Sequence, residues 1–251
     1  MNKCRGLILA AGRGSRMNDL TSTIPKCMVH LGGRPMLHWQ LDGLRLGGCD
    51  SVEIVTGYRS EALGREIVSH RNPRWEKTNM VASLFCAPPF EGDTIVSYSD
   101  IVYNPNHVYG LIESQHDIVV TADAKWRQLW EARFENPLED AESFSFHSAE
   151  LLSIGERVND MDEIEAQFMG LIKVSRDGWQ TMFDVFQSLS NDDQDKLDMT
   201  SLIQIMLSRK NSIGVHIVSG GWCEADSDED IELYEKLLKT NKWTHDWRGN
   251  L

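Results

Sequence analysis

An α/β fold with a single doubly wound, mostly parallel (Rossmann-like) sheet and helices on both faces is predicted by three features of the sequence. Short apolar runs alternate along the chain with stretches of helical spacing. A glycine-rich loop directly follows the first apolar run. The 251 residues contain no internal repeat and no linker rich in Pro, Gly or Ser, so one domain over residues 1–251 is expected.

The first residues of the chain carry the pattern of a β-loop-α-β unit. The apolar run 5–10 (RGLILA) predicts a buried strand, Met36–Leu46 has the spacing of a helix, and Ser51–Thr56 predicts a second strand. Ligands of such a sheet bind beyond the carboxyl ends of its strands. Further strands are predicted at 94–98, 117–121, 170–174 and 212–218.

The C-terminal third contains one clear helix signal and two segments with weaker patterns. Residues 228–239 have amphipathic spacing, with Ser227 as the predicted N-cap and an acidic first turn that suits the positive end of a helix. The acidic stretch 190–198 is interpreted as a solvated turn and helix start. Residues 243–251 are predicted to form a loosely docked tail.

Composition excludes several classes of protein. A formal net charge of -13 argues against non-specific nucleic-acid binding, which needs a surplus of Lys and Arg on one face. No apolar run approaches the roughly 20 residues that a membrane helix needs, and the start of the sequence lacks the features of a signal peptide. Five scattered cysteines have neither metal-finger nor disulfide-scaffold spacing. We therefore expect a cytoplasmic protein that binds no nucleic acid and no membrane.

The glycine loop within residues 9–26 (LAAGRGSRMNDLTSTIPK) is the most informative stretch. Gly12 and Gly14 follow a strand, where backbone N–H groups can converge on an anion. Two familiar phosphate loops are excluded by spacing, because Met17 stands where a Rossmann fingerprint needs its third glycine and no Gly-Lys-Ser/Thr follows. The loop is therefore of another phosphate-binding type.

Two cations flank this predicted anion site. Arg16 lies at the end of the loop, and Lys26 follows Pro25, whose fixed φ stiffens the chain. The alternative is a solvated arginine and lysine beside an ordinary β-α turn.

The whole string closely resembles the signature of sugar-nucleotidyltransferase-like enzymes, which decides between these alternatives. The resemblance implies that the loop holds a nucleoside triphosphate and that Arg16 and Lys26 are the catalytic cations, with Lys26 at the phosphate under attack. One departure is Asp19, where many members have proline. The implied nucleotide-binding residues of the loop are Leu9, Ala10, Ala11, Gly12, Arg13, Gly14 and Ser15, and the further matches are Leu20, Thr21, Pro25 and Val29.

Two aspartates at predicted strand ends are candidate Mg²⁺ ligands. Joining a nucleotidyl group to a phosphate brings anions together, which calls for cations and a metal held by carboxylates. Asp100 ends the run TIVSYSD, and Asp226 follows the strand predicted at 212–218. By resemblance, both match the metal-binding aspartates of the family. Glu224 and Asp228 are rivals of Asp226, although Asp228 is better explained as first-turn helix charge.

The segment 72–84 (NPRWEKTNMVASL) resembles the phosphocholine and 2-aminoethylphosphonate cytidylyltransferase branch of that superfamily. In the wider family this region lies against the base, which implies that Asn79 and Ser83 hydrogen-bond cytosine. The alternative is a helix start capped by Thr78 or Asn79, with Met80 and Leu84 in the core.

The segment 123–142 also resembles that branch and is the source of the acceptor hypothesis. Trp126 and Arg133 would frame a small charged acceptor, because aromatic faces attract amines. Equally, Trp126 and Trp130 have the i, i+4 spacing of helix-face packing. Glu165, before another predicted strand, is a weaker candidate for the amino group of an acceptor.

Together these features predict a Mg²⁺-dependent cytidylyltransferase. It would transfer CMP from CTP to a small phosphorylated or phosphonylated acceptor, of the phosphocholine, 2-aminoethylphosphonate or phospho-amino-acid-amide type, and release pyrophosphate. The alternatives are a hexose-1-phosphate nucleotidyltransferase that uses UTP, GTP or dTTP, and a non-catalytic nucleotide-binding regulator. A homodimer is compatible with the sequence.

Overall fold

The computed structural model describes residues 3–64, 66–240 and 242–249. Most of the chain in these ranges is regular secondary structure. The strands are β1 (Cys4–Ala10), β2 (His30–Leu31), β3 (Arg34–Pro35), β4 (Ser51–Thr56), β5 (Val68–Arg71), β6 (Asp93–Tyr98), β7 (Ile101–Tyr103), β8 (Ile118–Asp123), β9 (Glu142–His147), β10 (Glu150–Arg157), β11 (Gln167–Val174), β12 (Gly214–Val218) and β13 (Trp222–Glu224). The α-helices are α1 (Met36–Leu46), α2 (Met80–Leu84), α3 (Pro105–Ile112), α4 (Trp126–Arg133), α5 (Arg176–Gln187), α6 (Asn191–Lys196), α7 (Met199–Ser208) and α8 (Asp228–Leu237).

One large sheet forms the centre of the molecule. Within the described residues it has nine strands in the order β5-β4-β1-β6-β11-β8-β12-β10-β9. The β1, β4, β5 and β6 strands pair in parallel, as do β8 and β12, whereas β11 and β10 run against the other seven. The predicted mostly parallel α/β sheet is therefore confirmed, with β11 inserted between its two parallel parts.

Both faces of the sheet are covered. Along β1, Leu7 and Leu9 belong to one apolar cluster and Ile8 and Ala10 to the other. Successive side chains of a strand point to opposite faces, so a strand covered on both sides is apolar throughout. This explains why RGLILA has no polar alternation although it is a strand.

The elements that the sequence predicted differ from the observed ones by a few residues at their ends, and others were missed. The helix Met36–Leu46 and the strand Ser51–Thr56 match the prediction, and Ser227 caps α8 with a hydrogen bond from the Asp230 N–H. The missed elements are the β9–β10 hairpin at the edge of the sheet and the short strands β2, β3, β5, β7 and β13.

The missed pair β7–β13 is what assembles the predicted metal site. These two strands form a small antiparallel sheet in which Ile101 pairs with Glu224. The Ala225 N–H also donates to the Asp100 carbonyl at 2.9 Å. Asp226 was assigned to the end of the strand at 212–218, but β12 ends at Val218 and it is β13 that leads to Asp226.

The prediction of a loosely docked tail is wrong for residues 243–249. The side chains of His245 and Trp247 are fully buried. The Trp247 ring packs edge-on against Trp39, with centroids 5.9 Å apart, and His245 Nε2 lies 2.8 Å from Asp123 Oδ2. Burial of two aromatic rings anchors the segment, which its polar neighbours in sequence do not reveal. Residues 250 and 251 lie outside the described ranges.

Membrane insertion through a helix is not supported by the described elements. None of the helices in residues 3–64, 66–240 and 242–249 has the length and apolarity to cross a bilayer.

Candidate active site

A cleft of about 310 Å³ opens at the carboxyl ends of β1 and β6. This is the edge of a parallel α/β sheet at which ligands bind. Much of the predicted site lies here, including most of the glycine loop, both cations and both aspartates. The lining residues are Leu9, Ala11, Gly12, Gly14, Ser15, Arg16, Lys26, Trp75, Thr78, Asn79, Met80, Ser83, Tyr98, Ser99, Asp100 and Asp226.

Gly14 shapes the loop around the lysine. Its φ is 70°, in the left-handed region that favours glycine. A Cβ atom on Gly14 would lie 2.8 Å from Cδ and 2.9 Å from Cβ of Lys26. The Thr21 hydroxyl donates to the Gly14 carbonyl at 3.0 Å, which holds this geometry. The absence of a side chain at position 14 thus lets the lysine stem pass beneath the loop.

We therefore expect Gly14→Ala to lower kcat more than it lowers CTP affinity, because the new methyl group displaces Lys26 while the loop amides remain. Strain at a left-handed position adds about 1 to 2 kcal/mol of destabilisation. Steady-state kinetics, with the melting temperature as a check on folding, test this. The matched control is Gly33→Ala, because Gly33 also has a positive φ of 86°, a Cβ atom there meets nothing within 4 Å, and Gly33 does not line the cleft. Equal losses in both variants would contradict the role assigned to the Gly14–Lys26 contact.

Aromatic residues support the outer side of the loop. The Tyr58 hydroxyl donates to the carbonyls of Thr21 and Ser22, both at 2.9 Å. The Tyr58 ring meets the Trp75 ring edge-on, with centroids 5.3 Å apart. Trp75 lines the cleft. It also packs closely against Gly57, where a Cβ atom would lie 2.6 Å from the Trp75 Cβ. The glycine loop is thus fixed against the segment that forms the far wall of the cleft.

Lys26 lies at the centre of the charged part of the cleft. Its Nζ donates to Asp100 Oδ2 at 2.8 Å and to Asp226 Oδ1 at 2.6 Å, and the side chain is 8% exposed. Burial disfavours the charged ammonium, but the charges of the two aspartates and their hydrogen bonds outweigh it and raise the Lys26 pKa. Lys26 is therefore cationic at neutral pH and fixed in direction.

Glu224 joins the two predicted aspartates. Single carboxylate oxygens of Asp100, Glu224 and Asp226 all lie within 4.8 Å of one another. Burial raises the pKa of Glu224 well above its ordinary value, and the Asp226 charge raises it further. Burial opposes ionisation of Asp226 too, but a hydrogen bond from Glu224 and the charge of Lys26 lower its pKa. Three carboxylates crowded in this way have an unfavourable mutual charge that a cation relieves.

The donor set fits Mg²⁺. This ion prefers oxygen ligands and uses one or two carboxylates together with substrate phosphates. Asp100 Oδ1 is buried and has no hydrogen-bond partner in the part of the chain that the structure describes. A buried acceptor of this kind is costly unless something binds it. Of the two rivals to Asp226, Glu224 belongs to the cluster, whereas Asp228 accepts a hydrogen bond from the Asn18 side chain at 3.1 Å.

Arg16 is placed quite differently from Lys26. Its side chain is 69% exposed and donates to Asp226 Oδ1 at 3.0 Å. The long side chain lies over the mouth of the cleft, where it can follow a ligand that carries several negative charges. The two predicted cations thus differ in exposure, with Lys26 buried inside the cleft and Arg16 exposed at its mouth.

The two residues predicted to contact the base differ in the hydrogen bonds that their side chains already make within the protein. Ser83 is buried, lines the cleft, accepts a hydrogen bond from Asn72 Nδ2 at 2.9 Å and donates a long one to the Asn79 carbonyl at 3.5 Å. Asn79 also lines the cleft, but its side chain caps α2 by accepting from the Met80 N–H and donates to the Lys196 carbonyl. The helix-cap interpretation of Asn79 is therefore observed. Ser83 is the better placed of the two for a base.

Five residues of the predicted site do not line the cleft, and three of them, Ala10, Arg13 and Glu165, lie elsewhere for different reasons. Ala10 is buried in the core beneath the loop. The Arg13 guanidinium is exposed and lies over the Tyr58 ring, 5.7 Å from its centroid. Glu165 is exposed and accepts a hydrogen bond from the Phe146 N–H at 2.8 Å. Its carboxylate therefore belongs to the edge of the sheet at β9.

Trp126 and Arg133, the residues predicted to contact the acceptor, are both buried in the structure. Trp126 is 3% exposed and packs edge-on against Trp130, with centroids 6.0 Å apart. Arg133 turns inward to Asp230, and its side chain is 1% exposed. The helix-face packing of Trp126 and Trp130 is thus the arrangement observed, and neither Trp126 nor Arg133 lines the cleft beside the glycine loop.

Sequence reasoning missed the aromatic floor of the cleft. Tyr98 ends β6, lies edge-on to Phe168 at 5.9 Å and fits against Gly170, where a Cβ atom would lie 2.6 Å from the Tyr98 ring. Burial raises the Tyr98 pKa well above its ordinary value, and the charges of Asp100 and Asp198 raise it further. The signal available in the sequence was Gly170, because a glycine within a strand marks a close approach, and in the structure its φ is 76°.

Known proteins resemble this chain in both sequence and fold. Residues 6–153 match the MobA-like NTP transferase domain family. A CTP:phosphoglutamine cytidylyltransferase of Campylobacter jejuni is 33% identical over 246 residues, which cover 90% of this chain and 97% of that protein. A choline-phosphate cytidylyltransferase of Haemophilus influenzae is 34% identical over 107 residues, covering 40% of this chain and 45% of that protein. The predicted resemblance to the cytidylyltransferase branch is thereby confirmed.

Solved structures agree on the fold. An inositol-1-phosphate CTP transferase of T. maritima superposes with a TM-score of 0.74 at 18% identity, covering 96% of this chain and 98% of that one. The CTP:phosphocholine cytidylyltransferase of Streptococcus pneumoniae has a TM-score of 0.72 at 16% identity, with 94% and 99% covered. The family match over more than half of the chain and the full-length relative lead to one conclusion: this chain belongs to the MobA-like NTP transferase family and is a nucleotidyltransferase.

Proposed function

We propose that the protein transfers CMP from CTP, with Mg²⁺, to the phosphate of a small ammonium-bearing acceptor and releases pyrophosphate. The observation that carries this proposal is the Lys26 ammonium held between Asp100 and Asp226 beside the glycine loop. An ionised phosphate oxygen needs no general base to attack the α-phosphorus. The protein has instead to bring two anions together and stabilise the charge that develops.

The residues of the cleft divide this work. The glycine loop receives the triphosphate, and Arg16 at the mouth binds its outer phosphates and, after the reaction, the pyrophosphate. Lys26 holds a fixed positive charge where the attacking oxygen and the α-phosphate meet. Because its partners fix it in advance, this charge requires little reorganisation during the reaction.

Asp100, Asp226 and Glu224 are the residues that would hold Mg²⁺. The ion supplies Lewis-acid polarisation of phosphate oxygens and neutralises part of their charge. The buried, unpartnered Oδ1 of Asp100 supports this assignment.

An acceptor with an ammonium group suits the rest of the cleft. Beside the carboxylate cluster lies the Tyr98–Phe168 aromatic pair, and the charges of Glu142 and Asp198 also act on Tyr98. Aromatic faces and carboxylates attract ammonium groups. A hexose phosphate has no such group, which weighs against the sugar alternative.

Among ammonium-bearing acceptors we propose the phospho-amino-acid-amide class. The phosphoglutamine enzyme of Campylobacter matches along nearly the whole of both chains, whereas the choline-phosphate enzyme matches along less than half of each. The matched span of the former covers 90% of this chain and so includes both Tyr98 and Phe168 of the aromatic floor.

The experiment is pyrophosphate release with CTP, UTP, dTTP, ATP and GTP and a panel of acceptors, combined with equilibrium binding. We expect CTP to bind more tightly than UTP, ATP or GTP in the presence of Mg²⁺, and phosphoglutamine to exceed phosphocholine, 2-aminoethylphosphonate and glucose 1-phosphate in kcat/KM.

Ser83→Ala should narrow the difference in binding free energy between CTP and the other nucleotides by about 1 to 3 kcal/mol if it leaves a buried base atom unpaired. Asn79→Ala should mainly destabilise the α2 helix by about 1 kcal/mol.

Each alternative has its own signature in this experiment. A preference for UTP or dTTP with glucose 1-phosphate as the acceptor would replace the proposal with the sugar-phosphate reaction. Tight CTP binding without turnover of any acceptor would favour the nucleotide-binding regulator.

A further inference from the structure

Arg133, the last residue of α4, makes a bidentate contact that no part of the proposed reaction uses. Its Nε donates to Asp230 Oδ1 at 3.0 Å and its Nη2 to Asp230 Oδ2 at 3.1 Å. The side chain is 1% exposed. The Phe134 ring lies 4.9 Å from the guanidinium carbon and packs against it. A planar fork held on both sides in this way has a fixed orientation.

Asp230 connects this fork to the turn that carries the metal carboxylates. Its Oδ2 accepts the N–H of Asp226 at 2.8 Å and that of Ser227 at 3.1 Å. Asp230 belongs to the first turn of α8, where a carboxylate is favoured by the helix dipole. The backbone at position 226 is therefore tied to Arg133 through one buried carboxylate.

Arg133 also reaches the carboxylates themselves. Its Nη2 donates to Asp226 Oδ2 at 3.4 Å, and its Nη1 lies 3.8 Å from Glu224 Oε2. Nη1 is buried and has no hydrogen-bond partner among the described residues. The guanidinium thus keeps the N–H groups of Nη1 free, on the side that faces Glu224.

We propose that Arg133 is a positioning residue of the metal site, and that its fork, clamped by Asp230, sets the directions of the Asp226 and Glu224 carboxylates. This rests on the proposed function, which assigns those carboxylates to Mg²⁺. Residues that orient metal ligands typically contribute about 10- to 100-fold to metal affinity.

A role of Arg133 in neutralising charge and a role in orienting ligands lead to opposite effects on metal affinity when Arg133 is removed. If Arg133 merely neutralised surplus carboxylates, its removal would leave a more negative site that binds a divalent cation more tightly. If it orients the ligands, removal weakens binding in spite of the gain in negative charge. The sign of the change therefore separates the two roles.

The test measures Mn²⁺ binding to the protein alone, from the electron paramagnetic resonance signal of the free ion. We expect Arg133→Gln to raise the Mn²⁺ Kd by about tenfold or more. Arg133→Lys should restore it only in part, because an ammonium cannot make the fork. The matched control is Arg127→Gln on the same helix, since Arg127 pairs with Asp162 at the exposed surface. That variant should bind Mn²⁺ as the wild type does.

Activity provides a second readout. At saturating CTP, Arg133→Gln should need more Mg²⁺ for half-maximal rate, with kcat largely recovered at high Mg²⁺. If Arg133→Gln fails to fold, Arg133→Lys and Asp230→Asn decide the question, because both keep the volume of the site.

Unchanged or tighter Mn²⁺ binding in the folded variants, or complete rescue by lysine, would overturn the positioning role. If Asp226→Asn loses Mn²⁺ in the same assay, such a result would leave the proposed function intact. A wild-type protein that bound no Mn²⁺, either alone or with CTP present, would overturn the metal assignment as well.

Discussion

Replacing Lys26 by glutamine is expected to lower kcat by about 100- to 1000-fold, the usual effect of losing one preorganised electrostatic donor. Glutamine keeps much of the apolar stem but removes the charge between Asp100 and Asp226. CTP affinity at saturating Mg²⁺ should fall far less, because the loop, Arg16 and the ion still bind the outer phosphates. Lys26→Arg should rescue only in part, since a planar fork presents its donors differently from a compact ammonium.

Stopped-flow pyrophosphate release and CTP titration of the same variants test this prediction. Lys236→Gln on α8 is the matched control, because that lysine is 73% exposed and pairs only with Glu232 within the described residues. Its kinetics should be those of the wild type. Proportional losses of CTP binding and kcat in Lys26→Gln would make Lys26 a uniform anchor of the triphosphate, and an unchanged kcat would remove it from the reaction.

The second large effect is expected for the aspartates. Asp100→Asn and Asp226→Asn should each lower turnover by about 100-fold or more and raise the Mg²⁺ concentration for half-maximal rate, because each removes a charged ligand oxygen worth several kcal/mol to the reaction. The fold should survive in both, since asparagine keeps the volume and one acceptor oxygen. Turnover measured as a function of Mg²⁺ concentration checks both effects.

The control for this pair is Asp228→Asn, two residues beyond Asp226. The Asp228 carboxylate accepts a hydrogen bond from Asn18 and does not belong to the three-carboxylate cluster. We expect its Mg²⁺ dependence to be unchanged. A near-normal rate at low Mg²⁺ in Asp100→Asn or Asp226→Asn would make that residue a structural turn carboxylate.

The glycine loop is the part of the site that the sequence predicts best. A strand, Gly12, Gly14 and Lys26 lie within one short stretch, so local pattern and family resemblance both apply to it. What the pattern leaves out is the packing of Gly14 against the lysine stem. That contact depends on how the chain returns after the Ser15–Thr21 turn of 3-10 helix.

Asp226 was predicted as a ligand from its position after a strand, but the strand that leads to it is a different one. Its place beside Asp100 comes from the β7–β13 pair, which has only three residues on each side. Strands this short have no periodicity to detect. Glu224 pairs with Ile101 in this small sheet, and this pairing brings Glu224 into the carboxylate cluster. Sequence spacing alone could therefore not distinguish Glu224 from Asp226 as a ligand candidate.

Other placements could not be read from the sequence for one physical reason, which is that a polar or aromatic side chain has several possible partners. Arg133 has the composition of an acceptor contact, yet it pairs with Asp230, 97 residues away. Trp247 lies in a polar tail, yet its ring fills a gap beside Trp39 in the core. Asn79 caps a helix, and the local sequence is equally compatible with a helix cap and with a base contact. Tertiary packing, which local sequence does not show, determines which partner each of these side chains contacts.

In the proposed reaction, the cleft directs an acceptor phosphate to the α-phosphorus of CTP. The ³¹P NMR spectrum shows this directly when products are formed from CTP, Mg²⁺ and phosphoglutamine by the wild-type protein and by Asp226→Asn. We expect free pyrophosphate and an equal amount of a CDP-linked product with the wild type, and almost none of either with the variant. Inorganic phosphate with CDP, or equal product from both proteins, would contradict it.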